Sequence, residues 1–417
     1  MHIGIVGPIA SADIVHLLDD DSLRLPKGYA GAPLLVCLIE GLLQRGHRVS
    51  AFSVSADMPL NRKASVTAGG KKFSISFCPM RPRAWQPNGW LPGRIVDFFG
   101  FERNALQHAI KREAPDVIHA HWAYEFALAA LATKIPHVVT CHDSPYKVAR
   151  LASCSRLTVS AYRWLRILMA RKVMRNSKCM TAVSPYMRDE IQALTTARIA
   201  VVPNPVDNLA LALARHREVP VVPRLAMVCN GWSDLKNPQP ALLAFAELRI
   251  SSPDAELHLF GHDFGPGETA ESWCTQRRIE NGMVFHGSLP HQRLLQSLAE
   301  LDLLLHPSLE ESFGVVIAEA LTMGLPVVAG KSSGAVPWVV GGGGHLCDVR
   351  SPEDIKKTLL SVLDSKRYGR LSSEGMASAR DRFSADQVID QYLNLYKQVV
   401  GQQVEYIKQT VTSGEVA

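Results

Sequence analysis

No apolar run in this 417-residue chain approaches the roughly 18–20 residues that cross a bilayer as a helix, so no membrane span is expected. The first segment, Met-His-Ile-Gly-Ile-Val-Gly, has no basic stretch and no long apolar region before it, so it reads as a strand and not as a secretory signal. The eight cysteines are scattered, with neither a Cys-x-x-Cys pair nor a zinc spacing, and a reduced, cytoplasmic protein is the simplest expectation. No Gly-x-Gly-x-x-Gly follows the first strand, which counts against a Rossmann oxidoreductase. The four glycines 341–344 have no Gly-Lys-Ser/Thr after them, so they form no P-loop and read as a flexible turn. Charge is also scarce in excess: +6 over the whole chain would suit an anionic ligand or membrane face but requires neither.

What the chain does have is ordinary core-forming composition, 47% hydrophobic, and a length that predicts two or three domains. Short apolar runs alternate with helix-period segments. Strands are expected at 2–6, 49–54, 73–78, 115–122, 136–140, 179–183 and 199–202, and again at 225–229, 256–260, 283–286, 301–305 and 326–329. The most informative stretch is 306–330. A loop with Glu311 leaves the strand 301–305, Phe313-Gly314 precedes a helix over 315–323 carrying Glu319, and Gly324 stops it. In an open parallel sheet, ligands bind outside the carboxyl ends of the strands. Backbone N–H groups of Ser312, Phe313, Gly314 and Val315 would there suit a pyrophosphate. Glu319 is placed for a ribose diol and Glu311 for a sugar hydroxyl. Taken in isolation, two such carboxylates read as solvated groups flanking a turn.

The wording of the stretch goes further. Pro307, Ser308, Glu311, Phe313, Gly314, Glu319, Ala320, Gly324, Pro326, Val327 and Val328 fall in register with Pro-Ser-x-x-Glu-x-Phe-Gly, Glu-Ala and Gly-x-Pro-Val-Val. This resembles the signature of retaining glycosyltransferases of family 4. The resemblance implies a GT-B fold: α/β, with two Rossmann-like domains facing a cleft and a C-terminal helix crossing back to the first. The expected domains are 1–207 with the helix 384–417, binding acceptor, and 208–383, binding the nucleotide sugar, with a charged, Pro-containing linker at 208–223 as hinge.

Other segments are similar to the same family. Asp116-Val117-Ile118-His119-Ala120-His121 resembles its Asp-Val-x-His-x-His, which implies a donor-sugar or acceptor contact for His121, while His119 points back into the sheet. Cys141-His142-Asp143 resembles its His-Asp turn, where His142 binds or holds a loop. Gly31-Ala32 stands where relatives carry Gly-Gly, and Gly31 is a candidate ligand contact. Gly287, Ser288 and Leu289 form the turn that packs on the nucleobase. Lys236 matches the family's phosphate-binding Lys, but Trp232 stands where an Arg is usual, and Trp338 where a Glu is frequent.

The reaction so implied moves a sugar from a nucleotide-diphosphate sugar to a hydroxyl of a polysaccharide, lipid-linked glycan or other glycoconjugate. Lys236, Glu311 and His121 would be catalytic. No Asp-x-Asp motif is found, so no metal is expected, and the nucleotide sugar is a substrate and not a cofactor. A basic, apolar-interleaved helical region at 150–178, with Arg163, Arg166 and Arg171, reads as a peripheral contact with an anionic membrane or as a solvated face. Trp85 and Trp90, in a Pro- and Arg-rich loop, share that ambiguity. No nucleic-acid partner is expected. A non-catalytic sugar-nucleotide-binding or scaffold protein stays open as the alternative, on the strength of Trp232 and Ala32.

Overall fold

The computed structural model describes residues 1–19, 24–29, 32–61, 65–151 and 157–412. The chain divides into two compact units, Met1–Val202 with Val388–Ala417, and Pro203–Gln387.

The first unit holds eight strands: β1 (His2–Val6), β2 (Arg48–Ser55), β3 (Val66–Gly70), β4 (Phe73–Pro79), β5 (Val117–His121), β6 (His137–Cys141), β7 (Met180–Ala182) and β8 (Ile199–Val201). Their order is β3-β4-β2-β1-β5-β6-β7-β8. All pairs are parallel except β3 with β4. Parallel strands lie buried on both faces and read as continuous apolar runs; β1 and β6 are of this kind. The edge strand β3, Val-Thr-Ala-Gly-Gly, has no such pattern and was not foreseen.

After β4 the chain forms the Trp-bearing loop, and one side chain fixes it. The Arg81 guanidinium is fully buried and binds two carboxylates at once, Glu102 (Nη2–Oε2 2.6 Å) and Asp97 (Nη2–Oδ1 2.7 Å, Nη1–Oδ2 3.0 Å). These contacts tie the start of the loop to Asp97 and to the helix Gly100–Glu113, while Trp85 and Trp90 stay exposed.

The last helix spans Ala385–Thr412. It is held to this unit by polar as well as apolar contacts. The Tyr396 hydroxyl lies 2.7 Å from His119 Nδ1, and the Tyr392 hydroxyl 3.2 Å from Thr140 Oγ1, all buried. Ile389 packs so closely on Gly41 that a Cβ there would overlap it.

The second unit has six parallel strands: β9 (Arg224–Val228), β10 (Glu256–Phe260), β11 (Met283–Gly287), β12 (Leu303–His306), β13 (Val327–Gly330) and β14 (Gly344–Cys347). They are ordered β11-β10-β9-β12-β13-β14. Leu225, Met227, Phe245, Leu257, Leu303 and Leu305 centre its core.

Two expectations are corrected here. The segment 208–223, expected as a charged, Pro-containing linker, contains the helix Asn208–Ala212, capped by Asp207, and the buried Arg217. Arg217 donates to the carbonyls of Ala299 (2.9 Å), Leu301 and Met323 (3.2 Å), and burial lowers its pKa to about 10. The four glycines are no free turn either. Gly344 opens β14, and Gly343 packs on Gly375 of the helix Ser365–Phe383, whose Cα would lie 2.6 Å from an added Cβ.

Candidate functional site

In the second unit the carboxyl ends of β9 and β12 bring two charged side chains together. Lys236, in the loop after β9, places Nζ 2.7 Å from Oε1 of Glu311, in the loop after β12. The side chains are 26% and 17% exposed, so the pair is largely shielded from water. His306, at the end of β12, has Nε2 3.4 Å from the same oxygen. Burial pushes the Glu311 carboxyl up, but His306 and Lys236 outweigh it and hold the group at about 2.

Backbone ties fix both loops. Leu309 N donates to Leu235 O (2.8 Å), and Ala335 N to Glu311 O (2.9 Å). Asn237, at φ 49, donates its side-chain amide to Pro307 O (3.1 Å) and Val349 O (2.9 Å).

Beyond Glu311 the chain turns at Gly314 (φ 90) into the helix Val315–Thr322, which has no side-chain cap at its N-terminus. The first N–H groups of a helix lack partners within it and carry partial positive charge. The buried Phe313 ring anchors this turn edge-on against Phe383 (5.3 Å) and Trp338 (6.2 Å), with the Arg382 guanidinium 4.4 Å over Trp338. Trp338, standing where relatives frequently carry a Glu, thus supports the turn by packing.

Glu319 lies on the next turn of the helix and is almost fully buried. Its Oε1 is 2.7 Å from His291 Nε2, whose Nδ1 is 3.7 Å from Asp207 Oδ2. Burial raises the Glu319 pKa, and His291 offsets this only in part. His291 begins the helix His291–Ala299, with Pro290 between it and the turn of Gly287, Ser288 and Leu289. Gly287 sits at φ 71, and its amide donates to Phe264 O (3.0 Å).

Trp232 does not face Lys236 as a substitute cation would. Its ring joins an aromatic cluster with Trp273 (5.6 Å) and Phe264 (5.9 Å) and packs against the core of the unit.

In the first unit, β5 ends at His121. It is buried, with Nδ1 2.9 Å from His142 Nε2, and its Nε2 has no hydrogen-bond partner among the described residues. Burial lowers its pKa well below the usual value, with His119 and His142 adding to the effect. His119 is a satisfied core histidine, as expected: its Nε2 is 2.6 Å from Thr140 Oγ1, and burial pushes its pKa down to about 3.

Beside them, Asp143 accepts from the Tyr124 hydroxyl (3.1 Å), and burial raises it to about 6 against the pull of Arg166. Arg166 lies 3.7 Å over the Tyr124 ring and donates to Glu125 (3.1 Å). It therefore corrects the reading of an outward basic helix. The region is two helices, Pro145–Leu151 and Leu157–Asn176, and Arg166 belongs to the interior side. Trp164, Leu168, Arg171, Lys172 and Arg175 remain on the exposed side. Gly31 and Arg156 lie outside the described residues.

Sequence reasoning missed the roles of His291 and His306 and the group of Tyr124, Asp143 and Arg166. A His opening a helix reads as solvated, and only the fold brings it to Glu319. Among the described residues, no three His, Cys, Asp or Glu side chains gather as a metal site, and no helix is long and apolar enough to cross a membrane.

Comparison with known proteins follows the same division. Residues 34–208 match the model of Glycosyltransferase Family 4, and residues 224–377 that of Glycosyl transferases group 1. The chain is 26% identical over 318 residues to N-acetyl-alpha-D-glucosaminyl L-malate synthase of Bacillus anthracis, across 71% of this chain and 78% of that one. Sucrose-phosphate synthase of Thermosynechococcus elongatus superposes with a TM-score of 0.72 at 17% identity, over 96% of this chain and 100% of the other. HepE of Anabaena, solved with UDP and glucose, gives 0.63 at 17% identity, over 95% and 100%. At such identities the structures speak for the fold alone. With the two family models matched in series and each unit built on a Rossmann-like parallel sheet, this chain belongs to the group 1 glycosyltransferases of family 4 and has the GT-B fold.

Proposed function

We propose that the chain is a retaining, metal-independent hexosyltransferase that uses a nucleoside-diphosphate sugar and a hydroxyl acceptor. The observation that carries this reading is the Lys236–Glu311 pair beside the uncapped helix start at Gly314, with Glu319 buried one turn further in. In the reaction, the bond from the anomeric carbon to the diphosphate breaks and a bond to the acceptor oxygen forms. The acceptor proton passes to the departing phosphate oxygen. Negative charge grows on that leaving group. The Lys236 ammonium and the N–H groups of Ser312, Phe313, Gly314 and Val315 form a fixed electrostatic sink for it, which is where preorganised dipoles lower barriers most. The ammonium takes the place a divalent ion would fill. Glu311 orients a hydroxyl of the donor sugar, Glu319 accepts from the ribose, and the turn of Gly287, Ser288 and Leu289 meets the base through backbone groups. His121, with a buried ring nitrogen open to a ligand hydroxyl, is the first unit's substrate-contacting residue.

The sugar-nucleotide donor draws support from HepE, whose structure holds UDP and glucose. For the acceptor we favour a cell-envelope polysaccharide or a lipid-linked glycan, handled by a cytoplasmic protein. The exposed Trp164, Leu168, Arg171, Lys172 and Arg175 would rest on an anionic membrane face. Charge reversal at Arg171, Lys172 and Arg175 should abolish salt-sensitive binding to anionic vesicles; unchanged binding removes the membrane contact.

The deciding experiment is a thermal-shift panel with UDP, GDP, ADP and their sugars, followed by a transfer assay with Glu311→Ala and Lys236→Ala. A ligand at 100 times its dissociation constant stabilises by about 2.7 kcal/mol, a visible shift. Transfer that survives both substitutions undiminished would refute the site. Nucleotide binding with no transfer to any acceptor would instead favour a scaffold.

A further inference from the structure

We propose that His291 is a positioning residue for the donor: it holds the Glu319 carboxylate ready to receive the ribose hydroxyls. This rests on Glu319 being the ribose partner, as read above. Glu319 is buried, and burial favours its neutral form. A neutral carboxyl is a poorer acceptor for two hydroxyls than a carboxylate, so a buried ribose-binding acid needs a partner that keeps it ionised and oriented. His291 meets that need at 2.7 Å.

A second acid lies behind His291. Asp207 Oδ2 lies 3.7 Å from its Nδ1, while Asp207 Oδ1 is fixed by the Leu209 amide at 2.8 Å. The series Asp207–His291–Glu319 thus runs acid, imidazole, carboxylate, with the short contact on the Glu319 side. Its location fits the use. The His291 side chain is 28% exposed and that of Glu319 only 4%, so the imidazole is the more solvent-accessible member of the pair. Only Pro290 separates His291 from the turn of Gly287, Ser288 and Leu289, so one short segment would serve both the base and the ribose. Neither feature is needed if His291 merely caps a surface helix.

The test compares dissociation constants of the full chain for UDP, GDP and ADP with those for the 2′-deoxy forms. It uses wild type, Glu319→Ala, His291→Ala and His291→Gln. Wild type should prefer the ribose form of its nucleotide by about tenfold or more, the scale of a hydrogen bond to a charged group. Glu319→Ala and His291→Ala should both bring that preference within about twofold. His291→Gln, whose amide N–H can reach Glu319, should restore most of it. In the transfer assay His291→Ala should raise the donor KM about tenfold and leave kcat within about threefold.

A wild-type ribose preference retained in His291→Ala overturns the inference while leaving Glu319 in place. A preference retained in Glu319→Ala, or absent from wild type, overturns the ribose reading and this inference with it. Should His291→Ala fail to melt cooperatively, His291→Asn replaces it. Its shorter amide faces Asp207 and not Glu319, so loss of the preference supports the inference and retention overturns it.

Discussion

Replacing Lys236 by Ala tests the electrostatics of the site without any substrate. Glu311 is held at about 2, against 4.5 for an ordinary glutamate, and this displacement is the work of His306 and Lys236 together against burial. At about 1.4 kcal/mol per unit, the two partners contribute roughly 3 kcal/mol to the folded state at neutral pH. Lys236 is about a quarter exposed, and water screens part of its share. Its loss should therefore cost about 1–2 kcal/mol. For a unit of this size that is a fall of roughly 2–8 °C in the melting midpoint.

The sign of the pH dependence follows. The Glu311 pKa is depressed by folding, so the contribution is present above pH about 4.5 and is lost as pH falls toward about 2. The gap between wild type and Lys236→Ala, followed by calorimetry, should close over that window. A double-mutant cycle with Glu311→Ala should return a coupling of about 1–2 kcal/mol at pH 7. A cost for Lys236→Ala that is the same with and without Glu311, or the same at pH 3 and pH 7, would refute the pairing argument.

Arg81→Met should cost about 3–5 kcal/mol in stability, because it strands Glu102 as an unpaired buried charge; tryptophan emission from Trp85 and Trp90 should shift as their loop loosens. Tyr396→Phe should cost about 1–3 kcal/mol, read in denaturant melts, since His119 loses a buried partner. Asp143 has its folded pKa raised to about 6, so the stability owed to its neutral form is present below about pH 4 and lost as pH rises through 6. Asp143→Asn, which stays neutral, should therefore gain on wild type between pH 4 and pH 7 in melting midpoint, and a flat difference would contradict the burial of that carboxyl.

Most of the parallel strands were legible because burial on both faces writes them as apolar runs between turns; β14, Gly-His-Leu-Cys, was not, since it opens on glycine and carries no such run. The strand β3 was not, because an edge strand of Val, Thr, Ala and Gly carries neither run nor alternation. Lys236, Glu311, Gly314 and Glu319 were legible for a different reason: each sits at a fixed distance from a strand end, so local spacing locates them. His291 was not, since its contact with Glu319 is made by packing two helices and leaves no spacing to read. Arg166 and Arg217 show the limit of charge patterning. Both look like surface residues in the sequence, and both are drawn inward by aromatic, carboxylate or carbonyl partners that only the tertiary structure supplies. The departure at Trp232 was visible, but its destination among Trp273 and Phe264 was not.

The first unit is assembled from both ends of the described chain, with residues from Val388 onward closing what Met1–Val202 begins. On a ribosome moving at about 5–20 residues per second, the stretch between these parts takes on the order of 10–40 s to make. Throughout that interval His119 and Thr140 lack Tyr396 and Tyr392, and the groove at Gly41 lacks Ile389. The nascent first half lacks these partners until the last helix is made, while the second unit, whose residues are contiguous, has its whole core once Gln387 is added. Synthesis that stops short of Tyr392 leaves the earlier-made half permanently unfinished, and such products are expected to be substrates for chaperones and proteases.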